Sequence, residues 1–260
     1  MSVRATINVF KDPGALALKT ARRLCRIMNE AVAAQGVCSL ALAGGETPRR
    51  AYRLLASEGS GRVDWNKIHF FFIDERIVPP DDPESNYGMV KRELLSLAPV
   101  PDSNIHRVRG ELAPDRAAEE YRIELVGFFA HPIPRFDLVL LGLGEDGHIA
   151  SLFPGSAALD EEGRSVVSVF VPALKRWRIT ITLPVINNSR QVLFLVSGAH
   201  KASIVKEVFA ADRPVKHIPA TLVVPKDGTV EWMLDADAAS LLGDQYRTVS
   251  HEHPQGKDSR

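Results

Sequence analysis

The run Asp137-Leu138-Val139-Leu140-Leu141-Gly142-Leu143-Gly144-Glu145-Asp146-Gly147-His148 leads from an apolar segment through three glycines to a histidine. Imidazole titrates near neutrality, so a histidine held at the exit of a buried strand suits the removal and return of a proton. Residues 137–141 read as a buried strand, and Gly142, Gly144 and Gly147 allow tight turns, positive φ included, that a side chain resists. His148, with Asp146 two residues before it, is therefore the candidate for acid–base work rather than core packing. His69, His106, His131, His200 and His217 lie in no comparable loop and are read as structural or surface residues.

Two further strand ends carry candidate chemistry. In Gly44-Gly45-Glu46-Thr47-Pro48, two glycines lead into a helical run, Thr47 is placed to cap it and Pro48 suits its first position. Free backbone N–H groups there form a phosphate cradle, the plain alternative being a well-capped turn. No Gly-Lys-Ser/Thr follows, so it is not a Walker loop. After Phe70-Phe71-Phe72-Ile73, the charges Asp74, Glu75 and Arg76 either reach a ligand or pair with one another. Side-chain alternation lets at most two of the three reach it. Ser85 and Asn86 read as helix caps, with Asn86 gaining a second use if it ties this loop to the first. Arg178 and Lys201 are ordinary surface cations singly, but beside a glycine cradle they would neutralise a phosphate; Lys175 or Arg176 would serve in place of Arg178.

The elements that must position these loops follow an α/β rhythm. Strands are expected at 5–10, 37–43, 68–73, 136–141 and 192–196, and helices at 13–35, from Thr47, at 85–95, 116–129 and 201–209. Segments 165–171 and 178–183 alternate as an antiparallel pair, and 220–224 with 230–234 complete the sheet. The fold class is thus α/β, a Rossmann-like, mainly parallel sheet with helices on both faces plus a small antiparallel segment. Residues 1–243 read as one domain and 244–260 as a disordered tail, in which His251 and His253 flank Glu252 without a third ligand of fixed geometry. Gly142-x-Gly144-x-x-Gly147 is not read as a dinucleotide fingerprint, because Pro154 cuts short any following helix and no acid ends a second strand.

Composition narrows the partners. Lys plus Arg and Asp plus Glu number 32 each, so no overall field favours nucleic acid or an anionic membrane. No apolar run spans a bilayer and none resembles a signal peptide, which places the expected location in the cytoplasm. Cys25 and Cys38 read as buried thiols, not as a disulfide or metal pair.

With these motifs assembled, the chain resembles the 6-phosphogluconolactonase family over nearly its whole length, to about Trp232. The resemblance rests on residues 44–48, on 74–79 with Ser85-Asn86, on 142–155, and on Arg178 and Lys201. It implies hydrolysis of 6-phospho-D-glucono-1,5-lactone, in the oxidative pentose phosphate pathway, without metal or cofactor, by a monomer or weak homodimer. His148 would activate water and Asp146 orient it. Gly44, Gly45 and Thr47 would hold the phosphate with Arg178 and Lys201, and Asp74, Arg76, Ser85, Asn86 and Gly144 would complete the substrate site. Arg76 or an N–H of Gly44 or Gly45 would serve the oxyanion. Glu46 departs from the family's usual serine, so its side chain is expected to point away. The related glucosamine-6-phosphate deaminases carry a glutamate where Phe153 stands and an aromatic residue where Arg76 stands, which disfavours ring-opening deamination. A non-catalytic sugar-phosphate sensor is the other alternative, disfavoured by the lack of length for a DNA-binding segment.

Overall fold

The computed structural model describes residues 5–243. In chain order its strands are β1 (Ala5–Phe10), β2 (Cys38–Leu42), β3 (Ile68–Phe72), β4 (Asp74–Arg76), β5 (Leu138–Leu141), β6 (Val166–Val171), β7 (Arg176–Ile181), β8 (Gln191–Val196) and β9 (Thr229–Asp235). The helices are α1 (Pro13–Gln35), α2 (Glu46–Glu58), α3 (Asn86–Val90), α4 (Pro114–Phe129), α5 (Leu183–Asn188) and α6 (Ala202–Ala210). Six strands form a parallel sheet in the order β1-β9-β8-β5-β2-β3, and β4-β7-β6 form a separate antiparallel sheet.

Every residue of β2 and β5 is buried, which requires cover on both sheet faces and accounts for runs that are not alternating but continuously apolar. Helix α1 begins where the Asp12 carboxylate accepts the Ala15 N–H at 2.7 Å and ends on Gly36 in the left-handed region, φ 81°. Its buried residues Leu16, Thr20, Leu24, Ile27 and Met28 recur at helical spacing, so one stripe faces the core. Each such apolar side chain contributes about 1.5–3 kcal/mol on burial.

Asp137 fixes β5 beside β2: its carboxylate accepts the Ser39 N–H at 2.8 Å and the Ser39 hydroxyl at 2.9 Å. From β2 the chain passes to β3 on one side and later returns to β5 on the other. The carboxyl ends of β2 and β5 therefore border the point where strand order reverses, the crevice in which open α/β sheets bind ligands.

Four expectations are corrected. Residues 220–224 are not a strand: Pro219–Leu222 form a 3-10 turn whose Ala220 N–H bonds the Gly147 carbonyl at 3.0 Å, buttressing the glycine loop. A short apolar run has no periodicity by which to tell the two apart. Asp74–Arg76, read as a loop, is the strand β4, with Asp74, Glu75 and Arg76 opposite Thr180, Ile179 and Arg178 of β7. Residues 149–155 contain no helix, only turns and an isolated Ile149–Leu152 bridge. Helix 85–95 divides into α3 and a π-helical turn at Lys91–Leu95. The tail 244–260, with His251 and His253, lies outside the described residues.

On β3, His69 Nδ1 lies 3.0 Å from His106 Nε2, and His106 Nδ1 lies 2.6 Å from Glu124 on α4, with Phe71 stacked on His106 and Phe128 tilted against His69. Burial, then the neighbouring His106, holds the His69 pKa below its ordinary value. The unfolded chain thus binds more protons than the folded one, and stability falls as pH drops below about 6.5. Urea denaturation at about pH 5 and pH 7.5 is expected to show His69→Phe losing less stability on acidification than the unsubstituted protein; an equal loss in both would refute this role for His69.

Candidate active site

The loops after β2, β5 and β8 meet in one cleft of about 600 Å³. The first brings Gly44, Gly45 and Thr47 to its wall. Helix α2 begins one residue before Thr47, on a Gly45 cap, with no side-chain cap bond, so Thr47 is not the cap that the sequence predicts. The first-turn N–H groups consequently have no capping side chain and face the requirement that helix starts place on a ligand or solvent. Glu46 is largely exposed and pairs with Arg49 at 3.3 Å.

The β5 loop presents His148. Asp146 Oδ1 lies 2.6 Å from its Nδ1 and also accepts its backbone N–H at 3.1 Å. An ionised carboxylate at that distance accepts from Nδ1, which leaves Nε2 as the lone-pair nitrogen of the neutral ring. Partial burial works against the Asp146 charge, but the His148 N–H and imidazole outweigh it and hold this carboxyl below its ordinary range. Phe153 lies against the imidazole, with ring centroids 4.2 Å apart. Of the three glycines, only Gly147 has positive φ, 80°, whereas Gly144 is required by contact: a Cβ there would lie 2.0 Å from His148 Nδ1. Gly142 has neither constraint.

The antiparallel sheet supplies the cationic wall. Alternation along β4 sends Asp74 and Arg76 to the cleft and turns Glu75 inward. Glu75 accepts the N–H groups of Arg76, Asn86 and Tyr87 at 2.7–2.8 Å and the Ser85 hydroxyl at 3.0 Å, tying the loop after β4 to α3. Burial raises its pKa, against the pull of these N–H donors. Arg76 and Arg178 stand directly opposite in the β4–β7 ladder, and both line the cleft. The Nε atoms of both are buried without a hydrogen-bond partner. Burial, then the Arg76 charge, lowers the Arg178 pKa, although a guanidinium remains protonated. Two like charges facing each other with orphaned donors are a wall that an anion would satisfy.

Lys201 joins the wall from the β8 loop. Burial lowers its pKa, with Glu145 and Asp146 acting in the opposite sense. Asn86 also lines the cleft, whereas Ser85 does not: its hydroxyl accepts the Gly88 N–H at 2.9 Å and donates to Glu75. Lys175 and Arg176 are likewise away from the wall, and Arg176 pairs with Glu84. Sequence reading missed His200 and Ser151, both on the wall. His200 shares the β8 loop with Lys201, and that adjacency was its one legible signal.

The family model described as glucosamine-6-phosphate isomerases/6-phosphogluconolactonase matches residues 11–232. A 6-phosphogluconolactonase of Mycobacterium tuberculosis is 38% identical over 248 residues, 92% of this chain and 98% of that protein. One from Synechocystis sp. is 39% identical over 219 residues, covering 83% and 89%. The solved 6-phosphogluconolactonase from Trypanosoma cruzi superposes with a TM-score of 0.82 at 31% identity, over 93% of this chain and 98% of that one. A sheet with its switch-point cleft, an aspartate-oriented histidine and a sequence match of this extent place the chain in the glucosamine-6-phosphate isomerase/6-phosphogluconolactonase family.

Proposed function

We propose that the protein hydrolyses 6-phospho-D-glucono-1,5-lactone to 6-phospho-D-gluconate. The observation that carries the reading is the presence, within one cleft, of an anion-demanding wall and an imidazole whose Nδ1 lies 2.6 Å from the Asp146 carboxylate. Similarity to 6-phosphogluconolactonases over most of the chain supports it.

The phosphate binds at the first turn of α2, on backbone N–H groups around Gly45 and Thr47, with Arg178 and Lys201 as countercharges. Held by this end, the lactone presents C1 to His148, so binding energy becomes alignment. His148 Nε2 takes a proton from water as the oxygen attacks C1. Arg76, the remaining cation of the wall, stabilises the oxyanion of the tetrahedral intermediate. Collapse breaks the bond from C1 to the ring oxygen, which leaves with the proton held on His148. Asp146 keeps the ring in the required tautomer and offsets its transient charge. Phe153 covers the imidazole where the deaminases' glutamate would stand, and a phenyl ring relays no proton.

Initial rates on freshly prepared lactone, corrected for spontaneous opening, test this directly. His148→Ala is expected to lower kcat about 10²–10⁴-fold with the fold intact; retention of most of the rate would remove the base assignment. Asp146→Asn, which can donate to Nδ1 and so move the ring proton to Nε2, should lower kcat by a similar factor while KM stays near its original value. Arg178→Met should instead raise KM about 10- to 100-fold. A change in kcat alone would place Arg178 at the reacting end of the substrate.

A further inference from the structure

A chain of side-chain hydrogen bonds along the cleft wall links β4 and the start of α3 to the His148 loop, and abuts the loop after β2. At its centre is Asp74, only 7% exposed. Asn86 Nδ2 donates to its Oδ1 at 2.9 Å and to its backbone carbonyl at 3.0 Å, and the Ser151 hydroxyl donates to its Oδ2 at 2.7 Å. At one end Asn86 presses against the phosphate cradle, since a Cβ at Gly44 would lie 1.8 Å from Asn86 Oδ1. At the other end Ser151 stands three residues beyond His148, in a turn closed by the Leu152 N–H to the Ile149 carbonyl at 2.8 Å. Ala150 within that turn has φ 47°. A left-handed alanine persists only where its surroundings over-determine it. Ser151 supplies that restraint twice, through its hydroxyl to Asp74 and through its N–H to the Thr180 hydroxyl at 3.2 Å. Thr180 is itself the ladder partner of Asp74.

We propose that Ser151 and Asp74 are positioning residues: with Asn86 they form a brace that sets the separation between the Gly44 cradle and the His148 imidazole, and Asp74 acts there through its hydrogen-bond geometry, not through its charge or a proton transfer. The proposal rests on the lactonase reading and deepens it. The substrate is held at its phosphate and attacked at C1, so an error in this separation misaligns the reacting atoms while the phosphate contacts persist. The brace should therefore be read in kcat and hardly in KM.

The conservative variant separates geometry from charge. Asparagine at position 74 keeps an acceptor for Asn86 and turns its amide N–H toward Ser151, whose hydroxyl accepts as well as donates. Turnover of the lactone would be compared for the unsubstituted protein, Ser151→Ala, Asp74→Ala and Asp74→Asn, with thermal melting to verify folding. Ser151→Ala and Asp74→Ala are expected to lose about 10- to 100-fold in kcat, with KM within about twofold. Asp74→Asn should keep kcat within about threefold, and the Ser151→Ala/Asp74→Ala double variant should be no slower than the slower single one. The brace is overturned if Asp74→Asn falls as far as Asp74→Ala, if Ser151→Ala keeps its full rate, or if KM rises while kcat holds. If Asp74→Ala does not fold, Ser151→Ala and Asp74→Asn decide alone. Absence of turnover by the unsubstituted protein would refute the lactonase reading instead. The His148 Cε1–H resonance then tests the brace: it must shift in Ser151→Ala and stay in place in Asp74→Asn, and any other pattern overturns it.

Discussion

The parallel pairing of β2 with β5 is the constraint from which the site follows. Leu40 and Ala41 stand beside Leu138 and Val139, all fully buried, and the Ser39–Asp137 hydrogen bonds pin the register at the strand entrances. A slip of one residue would turn every side chain of β5 to the opposite face, so both strands end at fixed heights. The glycine bend before α2 and the glycine loop before His148 consequently open side by side. Strand β8, paired with β5 on its other flank, brings Lys201 to the same edge.

The small sheet adds what the parallel sheet cannot supply. Its ladder sets Arg76 against Arg178, an arrangement that opposes folding through like-charge repulsion and leaves buried N–H groups unpartnered. The same strand satisfies Glu75 completely from the protein side. The contrast between adjacent residues divides labour by strand alternation: Glu75 holds the scaffold, while Asp74 and Arg76 are turned to the cleft. On the proposed reading, a phosphate ester bound at the cationic wall would offset the stability given up there.

Much of this was legible in the sequence, and the misses have physical causes. Continuous apolar runs announced the buried strands, and the glycines with Asp146 and His148 announced the loop, because few other residues fit such a bend. The strand at Asp74–Arg76 was hidden, since three charges violate the apolar pattern and its partner lies about a hundred residues on, at Arg178–Thr180. The opposition of Arg76 and Arg178 depends on that register and is invisible to spacing. Residues 220–224 had strand composition, yet Pro219 begins a 3-10 turn that serves the glycine loop. Ser85, grouped with Asn86 by adjacency, turns away to cap α3 because neighbouring residues point in different directions. Ser151 carried no signal of its own and His200 only its adjacency to Lys201; the fold brings both to the wall.

The central claim is geometric: an anion held at the Gly44–Thr47 bend lies one hexose length from the His148 imidazole on the neighbouring strand end. A crystal structure with 6-phospho-D-gluconate bound tests it most directly. The phosphate should contact the first turn of α2 with Arg178 and Lys201, and the carboxylate, standing for the hydrated C1, should lie within hydrogen-bond reach of His148 Nε2. A product bound with its carboxylate at the α2 turn, or with C1 beyond reach of His148, would contradict the account.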